Sequence, residues 1–163
     1  GIGFTKVEPF SDYGQHASST LIRRALQNAE IEKANDLLGY AYRMRGEVRD
    51  GMKIGRTLGF PTANVYFPED KLIPANAVYG VEVNDEGKVY LGLMNIGYRP
   101  TISESTHRVC EVHLLKFKGD LYGKTIELRV LTKLRDEFHF SSRERLKAQI
   151  KKDVEAFKAW LKK

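Results

Sequence analysis

Residues 78–96 read VYGVEVNDEGKVYLGLMNI and contain two β-rich segments, 78–84 and 88–96, separated by a turn sequence. Both segments are rich in valine, tyrosine and other residues that favour strands. Between them, Asn84-Asp85-Glu86-Gly87 combines side chains that can cap a turn with a glycine that tolerates positive φ. The stretch therefore predicts an antiparallel β-hairpin.

Four further β-rich segments surround this hairpin in the sequence. They span residues 42–49, 63–67, 108–117 and 125–134, and Lys118-Gly119-Asp120 is a second candidate turn. No helical pattern interrupts the run from 42 to 134. Six strands at this spacing predict a mainly β fold, a small six-stranded antiparallel barrel of Greek-key type.

Helical patterns flank the predicted barrel on both sides. Ser18-Ser19-Thr20 supplies capping hydroxyls ahead of two short apolar patterns, so we expect two short helices before Gly39, preceded by an irregular stretch, 1–17. Ser141 and Glu144 have the spacing of a capping box. The apolar residues that follow at helical spacing are Leu146, Ile150, Val154, Phe157 and Leu161. They predict a long amphipathic C-terminal helix that packs on the barrel.

Length and composition are those of an ordinary globular chain. It has 163 residues, of which 42% are hydrophobic and 29% charged, enough for one domain with a core. No apolar run approaches the ~20 residues that span a bilayer, and no signal-peptide pattern opens the chain, so we expect no membrane partner and a cytoplasmic location. The single cysteine, Cys110, has no disulfide partner and is expected in a strand core.

A net charge of +6 is also typical of proteins that bind nucleic acid. Much of the excess lies in the C-terminal helix, where lysines are interleaved with Asp153 and Glu155 as on a solvated face. We therefore expect no nucleic-acid partner. A basic OB-like barrel that binds single strands is the weakest alternative, because Tyr66, Tyr90 and Tyr98 form no aromatic stripe among basic residues.

A second informative stretch, residues 51–64, reads GMKIGRTLGFPTAN and places glycines and cations ahead of a hydroxyl and an amide. Its glycines let backbone N–H groups approach an anion, while Lys53 and Arg56 add positive charge. Thr62 and Asn64 offer hard oxygen ligands, which Mg²⁺ accepts together with water and phosphate oxygens. The pattern suits a polyphosphate and its metal; a plain Gly-Pro turn between two strands is the alternative.

Several ordered motifs carry a family resemblance. They are GRTLGFPTAN at 55–64, Gly46-x-Val48-x-x-Gly51, Ala77-Val78-Tyr79-Gly80, Asn95-Ile96-Gly97-x-Arg99-Pro100-Thr101, Glu111-Val112-His113, Leu121-Tyr122-Gly123-Lys124, and Leu134-Arg135-Asp136-Glu137 with Phe140. In this order the chain resembles, over nearly its whole length, the riboflavin kinases, specifically the kinase module of the bacterial bifunctional riboflavin kinase and FMN adenylyltransferase. The resemblance implies an enzyme that uses ATP and Mg²⁺ to phosphorylate riboflavin to FMN.

The same resemblance implies roles for individual residues. Glu111 matches the catalytic base, and Thr62 and Asn64 match the metal ligands. The positions that match ATP and phosphate contacts are Gly51, Lys53, Gly55, Arg56, Thr62 and Tyr122. The positions that match the flavin site are Phe60, Arg135 and Phe140.

These assignments have plainer alternatives. Strand alternation alone favours a solvent-facing Glu111. Tyr122 can simply close a hairpin, and residues 135–137 can be a charged turn before a helix. His113 shares a strand face with Glu111, so the two are a minor candidate for a metal site or an acid–base pair.

The start of the chain resembles a different module. Ser18-Ser19-Thr20-Leu21-Ile22-Arg23 is similar to the end of the adenylyltransferase module, but no His-x-Gly-His motif occurs in the chain. We therefore divide the chain into residues 1–38, a helical remnant of that module or a linker, and residues 39–163, the kinase domain. We expect a missing adenylyltransferase partner module in a longer parent, and no FAD synthesis by this chain alone. A flavin-binding barrel without catalysis is the remaining alternative.

Overall fold

The computed structural model describes residues 11–12, 15–16, 18–49, 59–99 and 107–163. Six strands form a closed barrel, as predicted, and every neighbouring pair is antiparallel. The strands are β3 (Tyr42–Arg49), β4 (Ala63–Tyr66), β5 (Ala77–Asp85), β6 (Lys88–Arg99), β7 (His107–Leu114) and β8 (Thr125–Asp136). Their order around the barrel, β3-β4-β7-β6-β5-β8, combines hairpins with crossovers.

The β5–β6 hairpin has the tight turn that its sequence predicts. Asp85 pairs with Lys88, which leaves Glu86 and Gly87 as a two-residue loop. Both loop residues have positive φ, 50° at Glu86 and 89° at Gly87, and the Gly87 N–H donates to Asn84 Oδ1 at 2.9 Å. Positive φ at both positions is the signature of a type I′ turn, whose twist matches that of the flanking strands.

Alternate residues of the strands point into the barrel and form one apolar core. Among them, Met44, Val81, Met94, Val112 and Leu128 are completely buried. Cys110 also lies in this core, where we expected it, with 4% of its surface exposed. The opposite residues of β5, β6 and β7 point outward, and these are the residues that build the site described below.

Two short helices, α1 (Ser19–Gln27) and α2 (Ile31–Leu38), precede the barrel as predicted. Ser18 caps α1 by accepting from the Leu21 N–H. Ile31 of α2 belongs to the barrel's own core cluster and is fully buried. Asn35 joins α2 to two strands, because its side chain donates to Val130 O at 2.9 Å and accepts from Tyr42 N at 2.8 Å.

The stretch before α1 is only partly irregular. We predicted no regular structure over residues 1–17, but β1 (Ser11–Asp12) and β2 (Gln15–His16) pair antiparallel. Each strand is two residues long. A ladder this short has no apolar alternation for a sequence pattern to detect.

A long C-terminal helix, α3 (Arg143–Leu161), packs on the outside of the barrel, as expected. Its fully buried Phe157 lies against Gly80 of β5. The cap lies one residue later than the predicted capping box, since Ser142 rather than Ser141 accepts from the Arg145 N–H. The capping-box spacing selected Ser141, because Glu144 follows it by three residues while Arg145 follows Ser142, so the predicted cap is wrong by one residue.

Candidate active site

A cavity of about 540 Å³, here called the large cavity, lies between the outer face of the barrel and the start of α3. Its walls come from β5, β6, β7, the end of β8 and the segment before β4 on one side, and from residues 137–142 and α3 on the other. The apolar part of its lining consists of Phe60, Val78, Leu93, Val109, Phe138, Phe140, Leu146 and Ile150. The polar part includes Thr62, Asn95, Glu111, His113, Arg135 and Asp153. One cavity therefore has both an apolar wall and convergent polar groups.

Glu111 lies between two amide side chains on neighbouring strands. In the barrel register it pairs with Asn64 of β4 on one side and with Asn95 of β6 on the other. Side chains of directly paired residues are neighbours, with Cβ atoms about 4.5–5.5 Å apart. Glu111 is half-buried and lines the large cavity. Glu111 is therefore on the outer face of the barrel, as strand alternation predicts, but it lines a cavity and is not fully exposed to solvent.

His113 holds the segment before β4 against β7. Its Nδ1 lies 2.9 Å from the carbonyl oxygen of Pro61, and its ring meets the Phe60 ring edge-on at 5.3 Å. A carbonyl only accepts, so the contact requires a hydrogen on Nδ1. These two contacts hold the segment that carries Thr62 at the cavity wall, on the side where His113 and Glu111 lie.

The two predicted metal ligands, Thr62 and Asn64, line different cavities. Thr62 precedes β4 and lines the large cavity, whereas Asn64 lies within β4 and is 7% exposed. Asn64 lines a second cavity of about 140 Å³, which shares Val109 with the large one. Glu111 links the two, because it lines the large cavity and pairs with Asn64.

Arg135 and Asp153 form a buried ion pair at the edge of the large cavity. Arg135 Nε lies 2.9 Å from Asp153 Oδ1, and Nη2 lies 2.9 Å from Oδ2. The side chain of Asp153 is only 5% exposed, and Gln149 donates to its Oδ1 at 2.8 Å. Arg135 also donates from Nη1 to the carbonyl oxygen of Asp136. Because both ends of the fork are engaged, the orientation of the guanidinium plane is fixed.

Two phenylalanines cover that guanidinium. The Arg135 guanidinium carbon lies 4.7 Å from the ring centre of Phe138 and 5.6 Å from that of Phe140. The two ring centres are 4.5 Å apart. The structure thus brings the predicted flavin residues Arg135 and Phe140 together at one cavity wall. Phe60, the third, lines the same cavity next to His113.

The predicted nucleotide residue Tyr122 lies elsewhere. It is 64% exposed in the turn before β8 and is not among the described residues that line the large cavity. Asp120 accepts from its backbone N–H, and the next residue, Gly123, donates to the carbonyl of Val48 at 2.9 Å. This turn therefore lies beside the end of β3. Gly51, Lys53, Gly55 and Arg56 follow β3 and lie outside the described residues.

Sequence reasoning assigned no role to three of the residues that form this site. Asn95 opened a family motif, but only the barrel register places it beside Glu111. Phe138 had a visible signal, its two-residue spacing from Phe140. Asp153 had none, since a helical aspartate among lysines is typical of a solvated face.

The minor metal hypothesis at His113 and Glu111 gains no further ligand from the structure. The described residues contain no cluster of three or more metal-ligating His, Cys, Asp or Glu.

A family model described as Flavokinase, riboflavin kinase, matches residues 38–161. The chain belongs to the riboflavin kinase family. The match covers the whole barrel and all of α3, and it confirms the predicted family.

Two curated relatives, from Listeria monocytogenes and Bacillus subtilis, are bifunctional in name. The chain is 42% identical over 146 residues to the bifunctional riboflavin kinase/FMN adenylyltransferase of Listeria monocytogenes, covering 90% of this chain and 46% of that protein. It is 41% identical to the Bacillus subtilis protein of the same name, covering 93% of this chain and 48% of the relative. The chain thus spans about half the length of the curated relatives that it matches.

Solved structures confirm the fold. Riboflavin kinase from Trypanosoma brucei superposes with a TM-score of 0.53 at 26% identity, over 74% of this chain and 80% of that one. A Streptococcus pneumoniae structure described as a macrolide-efflux protein superposes with a TM-score of 0.87 at 34% identity, over 94% of this chain and 50% of that one. No described helix of the present chain is long and apolar enough to cross a bilayer.

Proposed function

We propose that this riboflavin kinase domain transfers the γ-phosphoryl group of ATP to the ribityl 5′-hydroxyl of riboflavin, giving FMN and ADP. The observation that carries the proposal is the position of Glu111. It lies between Asn64 and Asn95 in the barrel register, on the polar side of a cavity whose lining also has a large apolar part. A carboxylate in that position can contact a hydroxyl on the side chain of a ligand whose flat ring system lies against the apolar wall.

The large cavity suits an isoalloxazine ring in size and lining. Its volume of about 540 Å³ is within the range of sites for small organic ligands. Val78, Leu93 and Ile150 offer an apolar surface, and Phe140 with Arg135 offers planar groups for a flat ring. The ribityl chain would then extend toward the polar side of the cavity, where Glu111, Asn95 and Thr62 lie.

Glu111 would act as the general base. In phosphoryl transfer a positioned carboxylate accepts the proton of the attacking hydroxyl, while the rest of the site orients and neutralises the phosphates. Asn64 and Asn95 carry amide groups that can donate hydrogen bonds to a carboxylate from either side. Their pairing with Glu111 supports a base whose direction is set by the barrel rather than by a loop.

Mg²⁺ would be held near Thr62 and Asn64, as the family resemblance implies. Both offer neutral oxygen donors close to Glu111, and Mg²⁺ takes few protein ligands because it keeps water and phosphate oxygens. The donor chemistry therefore fits. Bound there, the ion would neutralise charge on the transferred phosphoryl group. The predicted phosphate contacts of Lys53 and Arg56 remain part of this proposal, as does the predicted position of Tyr122 near the nucleotide.

The chain alone would make FMN but not FAD. The relatives' names pair the kinase with an FMN adenylyltransferase, and this chain matches only about half of each relative. We propose an adenylyltransferase module as the partner in a parent chain, with residues 1–38 as the segment nearest to it and 39–163 as the kinase domain. The cytoplasmic location also stays a prediction.

The test is chromatographic analysis of the chain incubated with riboflavin, ATP and Mg²⁺. We expect FMN without FAD. Glu111→Gln should lower turnover by at least about a hundredfold, the scale of general-base catalysis, while riboflavin binding is retained. Glu127→Gln is the matched control, because Glu127 is another half-buried strand carboxylate but does not line the large cavity.

Two results would contradict this proposal. Full turnover by Glu111→Gln would remove Glu111 as the base. Tight flavin binding by the unmodified chain, without FMN formation in Mg²⁺, Mn²⁺ or Zn²⁺, would favour the non-catalytic flavin-binding barrel.

A further inference from the structure

The pair of Arg135 and Asp153 joins a barrel strand to a helix across the cavity wall. Arg135 lies near the end of β8, and Asp153 lies in the middle of α3. The carboxylate receives three contacts from Arg135, at 2.9, 2.9 and 3.1 Å, and a fourth from Gln149 at 2.8 Å. At 5% exposure, a carboxylate is rarely found without such partners.

The two-point contact determines more than the position of one charge. A bidentate carboxylate fixes the plane of a guanidinium, not only its centre. The rings of Phe138 and Phe140 lie against that guanidinium and against each other. Stacking depends on the plane of the cation, so the orientation that Asp153 imposes on Arg135 is passed on to both rings.

We propose that Asp153 is a positioning residue of the acceptor pocket: by holding the plane of Arg135, it keeps Phe138 and Phe140 in place as the wall that receives the flat ring of the acceptor. This inference rests on the proposed function and extends it to a residue on α3. Asp153 then governs affinity for riboflavin and leaves affinity for ATP unchanged.

Attachment of α3 to the barrel has a separate basis. Phe157, one turn beyond Asp153, is fully buried and lies against Gly80 of β5. Loss of the Asp153 carboxylate therefore leaves the apolar anchor of the helix in place. What it removes is the contact that orients the guanidinium plane. A purely structural role for Asp153 would instead lower stability and would not affect the affinities for riboflavin and ATP differently.

The experiment compares Asp153→Asn with Glu155→Gln in the full chain. Glu155 is the matched control, since it is an exposed carboxylate on the same helix and its ion pair, with Lys158, lies at the surface. Riboflavin affinity is measured by flavin fluorescence titration without ATP, and the KM values for riboflavin and ATP are measured separately. Melting temperature is recorded for every variant.

We expect Asp153→Asn to weaken riboflavin binding on the order of tenfold, as misplacement of a binding group does, with the KM for ATP within twofold of the unmodified chain. In an Arg135→Gln background, Asp153→Asn should add no further loss, because Asp153 acts through Arg135. Glu155→Gln should change neither affinity.

Unchanged riboflavin affinity in a folded Asp153→Asn variant would overturn the inference, as would equal losses for riboflavin and ATP. If Asp153→Asn does not fold, Gln149→Met is measured in its place, because it removes one hydrogen bond to the same carboxylate. We then expect riboflavin affinity about two- to threefold weaker, the loss of one modest hydrogen bond, and no change would overturn the inference. A chain that forms no FMN at all, yet shows the predicted loss of riboflavin affinity, would refute the kinase proposal and not this one.

Discussion

The ring of Phe157 occupies the space that a Cβ atom on Gly80 would need, so the long C-terminal helix contacts the barrel at a point where the strand has no side chain. We predict that Gly80→Ala lowers the free energy of unfolding by about 1–3 kcal/mol, the usual cost of overpacking a close contact. Urea denaturation measures it. Val89→Ala, at a position 60% exposed on the neighbouring strand, is the control and should change stability little. Equal stability of Gly80→Ala and the unmodified chain would mean that α3 moves away without cost.

The contact between His113 and Pro61 leads to a prediction for turnover. His113→Phe keeps a ring beside Phe60 but removes the donor to the Pro61 carbonyl, so Thr62 loses the contact that holds its segment at the cavity. We expect kcat to fall about two- to tenfold, in line with the net value of one hydrogen bond. Steady-state kinetics measures this. His113→Gln retains an N–H donor and should lose less; the reverse ranking would show that ring packing, not the hydrogen bond, positions Thr62.

The turn between β5 and β6 can be improved. Glu86 adopts a φ of 50°, which asparagine tolerates better than glutamate, and Asn-Gly is the preferred pair in type I′ turns. Glu86→Asn should therefore raise the free energy of unfolding by about 0.5–1 kcal/mol, measured by thermal or chemical denaturation. Glu86→Gln separates charge from backbone, because it removes the exposed contact with Lys124 but keeps the longer side chain. If both variants gain equally, the backbone explanation is wrong.

Burial raises the pKa of the Cys110 thiol, and the negative charge of neighbouring Glu111 acts in the same direction. A raised pKa keeps the sulfur protonated, and the thiolate is the reactive form. Cys110 should therefore resist DTNB at pH 8 in the folded protein and react at once after unfolding in guanidinium. Rapid reaction of the folded chain would mean that β7 opens on the timescale of the assay. Leu161→Cys, at an exposed position at the end of α3, gives the control rate.

The parts of the fold that were predictable from sequence depend on neighbouring residues. The β5–β6 turn is one example, since its four residues carry the whole signal. The six strands and three helices are others, because apolar periodicity and caps are local properties. Strand ends shifted by one to a few residues, as with β6, which continues to Arg99 beyond the predicted end at Ile96. Pairing with β7 extends it, and pairing is not a local property.

The parts of the site that were missed depend on residues far apart in the chain. Asn95 lies beside Glu111 only because β6 and β7 pair in one particular register. Asp153 is buried because Arg135, on a different element, faces it. Periodicity indicates that a residue is on one face of an element but not what lies opposite. Glu111 and Arg135 were singled out through family motifs and Thr62 first through its oxygen ligand beside a glycine-rich loop, and their roles stay predictions.

The closure of the barrel has a consequence for how the chain is made. β3 pairs with β4 and also with β8, where Tyr42 is opposite Val130. β5 pairs with β8 on its other edge. During synthesis, β3 and β5 each have an unpaired edge until residues 125–136 have left the ribosome, and such edges can pair with other chains. The nascent domain is therefore most prone to aggregate late in translation. The hydrogen bond from Asn35 to Val130 likewise forms only after β8 has been synthesised.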